Sequence, residues 1–282
     1  MSKFSFQQVD VFTDKPLKGN PLAVVVGADG LSDATMAALG HWTNLSETTF
    51  LLKPTSPEAD YRVRIFTPER ELPFAGHPTL GSCQVWLNQG GKPKGTHIVQ
   101  ECAAGLIKIR RDGDRLAFAA PPLLRKGPVD AGTVQQIATG LGIKVDAIKA
   151  SQWADNGPGW VVVMLGSGAE VLALKPDYPA LADLKLGVVG PWTKADGRGA
   201  DFEIRAFIPT RSTEDPVTGS LNAGVAQWLI GTKLAPESYV ASQGTALGRA
   251  GRVYVQRAGD DIWIGGNVVT CVSGTIDLTG AG

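Results

Sequence analysis

Apolar and polar positions alternate over short runs along most of the chain, the period-2 signature of strands with one buried face. Such runs cover Phe4 to Phe12, Leu22 to Val26, Thr49 to Leu52, Tyr61 to Phe66 and Ile107 to Phe118, with Asp112-Gly113 at a hairpin turn. The second half adds Trp160 to Leu165, Phe202 to Phe207 and a Val253 to Ile264 hairpin turning at Gly259. Helical patterns are fewer. Ser32-Asp33 precedes Ala34 to Trp42 as an N-cap does, and Asp130 to Leu141 ends at Gly142 as a C-cap does, which predicts the second helix as the counterpart of the first. Two further runs, Thr79 to Leu87 and Ser220 to Leu229, are apolar almost all round and predict buried helices.

The pattern occurs twice. Tyr61-Arg-Val-Arg-Ile-Phe-Thr-Pro68 and Phe202-Glu-Ile-Arg-Ala-Phe-Ile-Pro209 match with Phe66 and Phe207 141 positions apart, half of the 282-residue chain. A Gly/Thr/Pro-rich turn, an apolar helix and a Trp follow each copy, at Trp86 and at Trp228, and the hairpins at Ile107 and Val253 match in turn. A repeat of domain size predicts two pseudo-symmetric domains, 1–122 and 123–282, facing one another across a cleft. Many short strands around one apolar helix predict an α/β (α+β) architecture in which each domain wraps a barrel-like mixed sheet around a central helix. The Pro-rich stretch Pro121 to Pro128 reads as the linker. Asn267 to Leu278 is a further β-rich run that completes a sheet in one domain or the other.

Composition narrows the partners. Lys+Arg and Asp+Glu are both 27, so no net charge or basic stripe points to nucleic acid. Cys83, Cys102 and Cys271 lack metal-type spacing, and an odd, sparse count suits a reducing, cytoplasmic setting, with Cys83 and Cys102 as buried apolar fillers. No run of about 18 apolar residues predicts a membrane span.

Three turns could carry chemistry. Ala75-Gly-His-Pro-Thr-Leu-Gly81 leads into the first apolar helix; Pro fits a first helical turn, and the N–H groups around Gly76 and Thr79 could hold a carboxylate. Glu214-Asp-Pro-Val-Thr-Gly-Ser-Leu-Asn222 is its counterpart, with Asp215 pushed out of helical geometry by Pro216. In Asn44-Leu-Ser-Glu-Thr-Thr-Phe50, Glu47 stands directly before an apolar strand, where partial desolvation equips a carboxyl to take and return a proton. Each has a plainer alternative. Glu47 could be a solvated loop residue, His77 a turn residue bonding a carbonyl, and Asp215 an Asx-turn or N-cap of the second helix.

Together the motifs resemble a family. Val9-Asp-Val-Phe-Thr13, Gly19-Asn-Pro-Leu-Ala-Val24, Asn44 to Phe50, Phe66-Thr-Pro68, Ala75 to Gly81, Glu214 to Asn222, Ser242-Gln-Gly244 and Gly248-Arg-Ala-Gly-Arg252 occur in the order of the phenazine biosynthesis PhzF-like family, over nearly the whole chain. The resemblance implies the diaminopimelate epimerase-like fold, with the active site between the domains. It implies Glu47 as the general acid/base, His77 and Asp215 beside the reacting centre, and Asn20, Gly76, Thr218, Gly219 and Ser220 as substrate-binding positions. Epimerase relatives carry one cysteine per domain at these turns. This chain has none there, which speaks against a two-thiol racemase.

The expected function is that of a cofactor-independent, metal-free isomerase of a small carboxylate metabolite, a homodimer in keeping with the family. The alternatives are an amino-acid racemase or epimerase with non-cysteine bases such as Glu47 and Asp215, and a non-catalytic carboxylate-binding protein.

Overall fold

The computed structural model describes residues 3–280, which divide into two compact units, one drawn from Met1–Ala119 and Gly265–Gly282 and the other from Ala120–Ile264. The first begins with β1 (Lys3–Val11), β2 (Asn20–Val26), α1 (Asp33–Thr43), β3 (Thr48–Leu52), β4 (Tyr61–Phe66) and β5 (Glu71–Leu72). It continues with α2 (Gly76–Asn88), β6 (Ile98–Cys102), β7 (Gly105–Asp112) and β8 (Arg115–Ala119). The second contains β9 (Arg125–Gly127), α3 (Ala131–Leu141), β10 (Ala150–Asp155), β11 (Val161–Met164), α4 (Gly168–Ala173), α5 (Tyr178–Leu181) and β12 (Leu186–Pro191). Then come β13 (Phe202–Ile208), β14 (Thr213–Asp215), α6 (Gly219–Gly231), β15 (Ser238–Gln243), β16 (Gly251–Ala258) and β17 (Asp261–Gly266), before β18 (Val268–Asp277) returns to the first unit.

In the first unit β1 lies antiparallel between β18 and β2, β2 runs parallel to β3, and β3 is antiparallel to β4. The far edge of β4 carries β5 at its Phe66 end and β6, in parallel, at its Tyr61 end; β6, β7 and β8 form an antiparallel meander. The second unit repeats this order. There β10 sits between β9 and β11, β11 is parallel to β12, β12 antiparallel to β13, and β13 carries both β14 and the parallel β15.

Both faces of the central strands are covered, which is why β3 is buried at every residue. Thr49 turns to α2, where the Ser82 hydroxyl donates to it at 2.9 Å. Phe50 turns the other way, packing with Met36 and Leu39 of α1. In the second unit, residues of α3, α4 and α5 (Ile137, Leu141, Val171, Leu181) pack on Val161, Val163, Leu186 and Val188.

The central helices α2 and α6 are buried nearly all round, as their unbroken apolar character predicts. Each closes on its sheet through a glycine. A Cβ at Gly81 would lie 2.5 Å from Leu22 Cδ2, and one at Gly224 would lie 2.3 Å from the carbonyl oxygen of Ala154.

Several expectations are corrected. The counterpart of α1 is the pair α4 and α5, which occupy the same β-α-β position between β11 and β12; α3 lies between β9 and β10. The capping signals of α3, Asp130 and Gly142, are present in the structure, but local signals fix a helix and not its place in the topology. The Pro-rich stretch is more than a linker, since β9 inside it pairs with β10. β12 escapes the strand pattern because Gly187 and Gly190 interrupt it; Cβ atoms there would lie 2.4 Å from Leu221 and 2.3 Å from the Ser167 carbonyl oxygen. α2 starts at Gly76, three residues earlier than predicted, because Pro78 falls within the first turn, where proline is tolerated. Cys83 is buried as expected, while Cys102 and Cys271 are only half-buried. No helix of the described residues is long and apolar enough to cross a membrane.

Candidate active site

In the first unit three elements place three side chains together. Glu47 ends the loop between α1 and β3, and His77 is the second residue of α2. Their Oε2 and Nε2 atoms approach to 3.3 Å, with the Glu47 side chain 15% and the His77 side chain 6% exposed. The contact lacks the in-line geometry of a hydrogen bond. On the other side of the ring, Asn20 at the start of β2 presents Nδ2 to His77 Nδ1 at 3.4 Å. An amide nitrogen can only donate, so Nδ1 accepts and the ring proton sits on Nε2, facing Glu47. Burial pushes the His77 pKa from 6.5 down to about 3. The Glu47 carboxyl pulls the other way, but its off-line approach leaves desolvation dominant, and the imidazole is neutral.

The start of α2 carries no side-chain cap, and its first helical bond runs from the Thr79 N–H to the Ala75 carbonyl. The N–H groups of Gly76 and His77 therefore precede the ladder. The Thr79 N–H does not, which removes it from the expected anion-holding set.

The second unit builds a hydrogen-bonded turn. Asp215 ends β14 and accepts the Thr218 hydroxyl at 2.5 Å. Asp215 does not cap α6, whose N-cap residue Thr218 makes no side-chain cap bond. Gln243 of β15 organises the turn. Its Oε1 accepts from the Thr218 N–H at 3.0 Å and from Asn222 Nδ2 at 2.8 Å. Its Nε2 reaches the Asp215 carbonyl at 3.1 Å and Thr218 Oγ1 at 2.9 Å. Ser220 is held from the β10–β11 side, with Trp160 Nε1 donating to its hydroxyl at 3.0 Å and Asn156 Nδ2 to its carbonyl at 2.9 Å. The first helical bond of α6 joins the Asn222 N–H to the Thr218 carbonyl, so the N–H groups of Gly219 and Ser220 stand ahead of the ladder.

The structure thus brings Asn20, Glu47, Gly76 and His77 into one cluster and Asp215, Thr218, Gly219 and Ser220 into another. Asn20 is fully buried against the His77 ring. Gln243, Asn222, Trp160 and Asn156 had no assigned role in the sequence. One signal was available, since each half plants a buried glutamine on the fourth residue of its central helix, Gln100 on Thr79 and Gln243 on Asn222. The repeat also locates the counterpart of Glu47. Thr48 pairs with Phe66 and Leu186 with Phe207, so the residue at the register of Glu47 is Lys185. No group of three His, Cys, Asp or Glu side chains among the described residues could hold a metal ion.

Residues 9–274 match the family model described as phenazine biosynthesis-like protein, PhzC-PhzF. The Schizosaccharomyces pombe protein named antisense-enhancing sequence 1 is 37% identical, covering 97% of this chain and 99% of its own. The trans-2,3-dihydro-3-hydroxyanthranilate isomerase of Pseudomonas aeruginosa is 33% identical over 89% of each chain. A crystal structure of a PhzF-family protein from Enterococcus faecalis superposes with a TM-score of 0.81 at 27% identity, covering 98% of this chain and 100% of that one. With the duplicated α+β architecture, the diaminopimelate epimerase-like fold, and a sequence match over nearly its whole length, the chain belongs to the phenazine biosynthesis-like PhzF family, which includes named isomerases.

Proposed function

We propose that the chain is an isomerase of a small carboxylate substrate, in which Glu47 takes a proton from one carbon and returns it to another. The observation that carries this reading is the Glu47–His77 contact at 3.3 Å with a neutral, buried imidazole. Burial makes the His77 imidazole a poor proton acceptor, so it does not compete strongly for a proton held on the neighbouring carboxyl. In the proposed one-base transfer the proton stays on Glu47 until the substrate takes it back. His77 packs its neutral ring edge against the carboxyl, and Asn20 fixes the tautomer. The N–H groups at Gly76 in the first unit, and at Gly219 and Ser220 in the second, each lie at a positive helix end suited to a carboxylate, and Asp215 and Thr218 add polar groups beside the second.

The test uses trans-2,3-dihydro-3-hydroxyanthranilate, the substrate in the name of the Pseudomonas aeruginosa relative, as the first candidate in D2O. Isomerisation with less than full deuterium at the accepting carbon is expected, because the same carboxyl carries the proton across. Glu47→Gln should abolish turnover and leave binding within about threefold, since its amide keeps the shape but cannot act as the base. Wild-type turnover in that variant refutes the mechanism.

A further inference from the structure

We infer that two repeated arginine–glutamate clamps, Arg64–Glu71 and Arg205–Glu214, are positioning pairs that set the two turns carrying the proposed site residues. This rests on the assignment of those turns under the proposed function.

The clamps are built alike. Each arginine lies two residues before the Phe of the repeat, and each glutamate lies directly across the strand pair from that Phe, Phe66 against Glu71 and Phe207 against Glu214. Each pair is bidentate. Arg64 Nε and Nη2 reach the two Glu71 oxygens at 2.7 Å each, and Arg205 Nε and Nη2 reach those of Glu214 at 3.1 and 2.7 Å. Each guanidinium also lies over the ring of its Phe, at 5.1 and 4.8 Å from the centroid. The planar fork of arginine fixes the angle as well as the distance of its partner.

What the clamps hold is the entry to each site turn. β5 is only Glu71–Leu72, and the chain reaches Gly76 and His77 four and five residues after Leu72. β14 is only Thr213–Asp215, so Glu214 is the direct neighbour of Asp215. Strands of two and three residues have few ladder bonds to define their path. A rigid fork on the glutamate supplies what is missing.

The third arm of each arginine differs. Arg205 Nη1 donates to the carbonyls of Val171 and Leu174 at 3.2 and 2.8 Å, tying the clamp to the end of α4, and both of its partners are buried. Arg64 Nη1 meets Asp33 at the start of α1, at 2.5 Å, with that carboxylate 84% exposed. The second-unit clamp is therefore the rigid one and the first-unit clamp the salt-sensitive one.

Amide hydrogen exchange of the full chain reads this without a substrate, so it can fail independently of the isomerase reading, which the Glu47→Gln turnover assay judges. Two second-unit variants are compared, Arg205→Lys, which keeps charge but loses the fork, and the apolar pair Arg205→Met/Glu214→Leu, which leaves no buried charge unpaired and so preserves folding. In both, exchange at the hydrogen-bonded amides of Thr218 and Asn222 should accelerate at least about tenfold, while Val225 to Ile230 of α6 keep their protection. For wild type, raising salt to about 1 M should accelerate the Thr79 amide and spare those of Thr218 and Asn222. Unchanged exchange in the turn in both variants, or acceleration spread evenly over the second unit, overturns the positioning role.

Discussion

Lowering the pH should destabilise the protein through His77. The folded state holds this imidazole neutral down to about pH 3, whereas the unfolded chain protonates it near 6.5. Between those values the unfolded state binds the extra proton, so stability falls as pH falls. The whole window corresponds to about 5 kcal/mol at 1.36 kcal/mol per pH unit, and the part lost between pH 7 and pH 5 is about 2 kcal/mol. Urea unfolding at pH 7 and pH 5 measures the loss, and His77→Gln supplies the comparison because it cannot take up the proton. Wild type should lose about 2 kcal/mol more than the variant over that interval. Carboxylates held low by hydrogen bonds, such as Glu101 and Asp277, also lose stability in acid, but equally in both proteins. In parallel, the His77 ring resonances of the folded protein should keep their neutral positions down to about pH 4. Equal losses in the two proteins, or a ring midpoint near pH 6.5, would refute the reasoning from burial.

Two further outcomes follow from particular contacts. Asn20→Asp places an acceptor where Nδ2 now donates at 3.4 Å, so the His77 proton should move to Nδ1 and the ring pKa should rise; imidazole 15N shifts report both, and an unmoved tautomer contradicts the assigned role of Asn20. Gly224→Ala drives a methyl to 2.3 Å from a backbone carbonyl oxygen that cannot swing aside, and should cost about 1–3 kcal/mol in urea unfolding, whereas Gly231→Ala, at the end of the same helix with no neighbour within 4 Å, should be neutral or slightly stabilising.

The central helices, the hairpins and the repeat were legible in the sequence because their signals are local. Apolar runs, capping residues and Phe-x-Pro copies each report on a few neighbouring positions. Glu47 and His77 are 30 residues apart, and no periodicity could state that they meet at 3.3 Å. The resemblance to a family joined them; the residue pattern did not. β12 was invisible for a related reason. Its glycines answer to Leu221 and Ser167, which are distant in sequence, so they read as breakers. Gln243 stood in a quoted motif without a role, because a buried amide shows its purpose only when its four partners around Thr218 and Asn222 are in place.

Duplication explains the frame, and the departures from it bear on the proposed chemistry. At equivalent positions of the two central helices stand His77 and Ser220, each held from outside the helix, one by Asn20 and the other by Trp160. At equivalent strand registers stand Glu47 and Lys185. A pair of identical halves would offer two like bases and so favour two-base inversion of a carbon centre. Here one half places a carboxyl beside a buried imidazole, and the other places a lysine at the matching register. The proposed one-base transfer on Glu47 accords with that asymmetry, because the twin position offers no second carboxyl base.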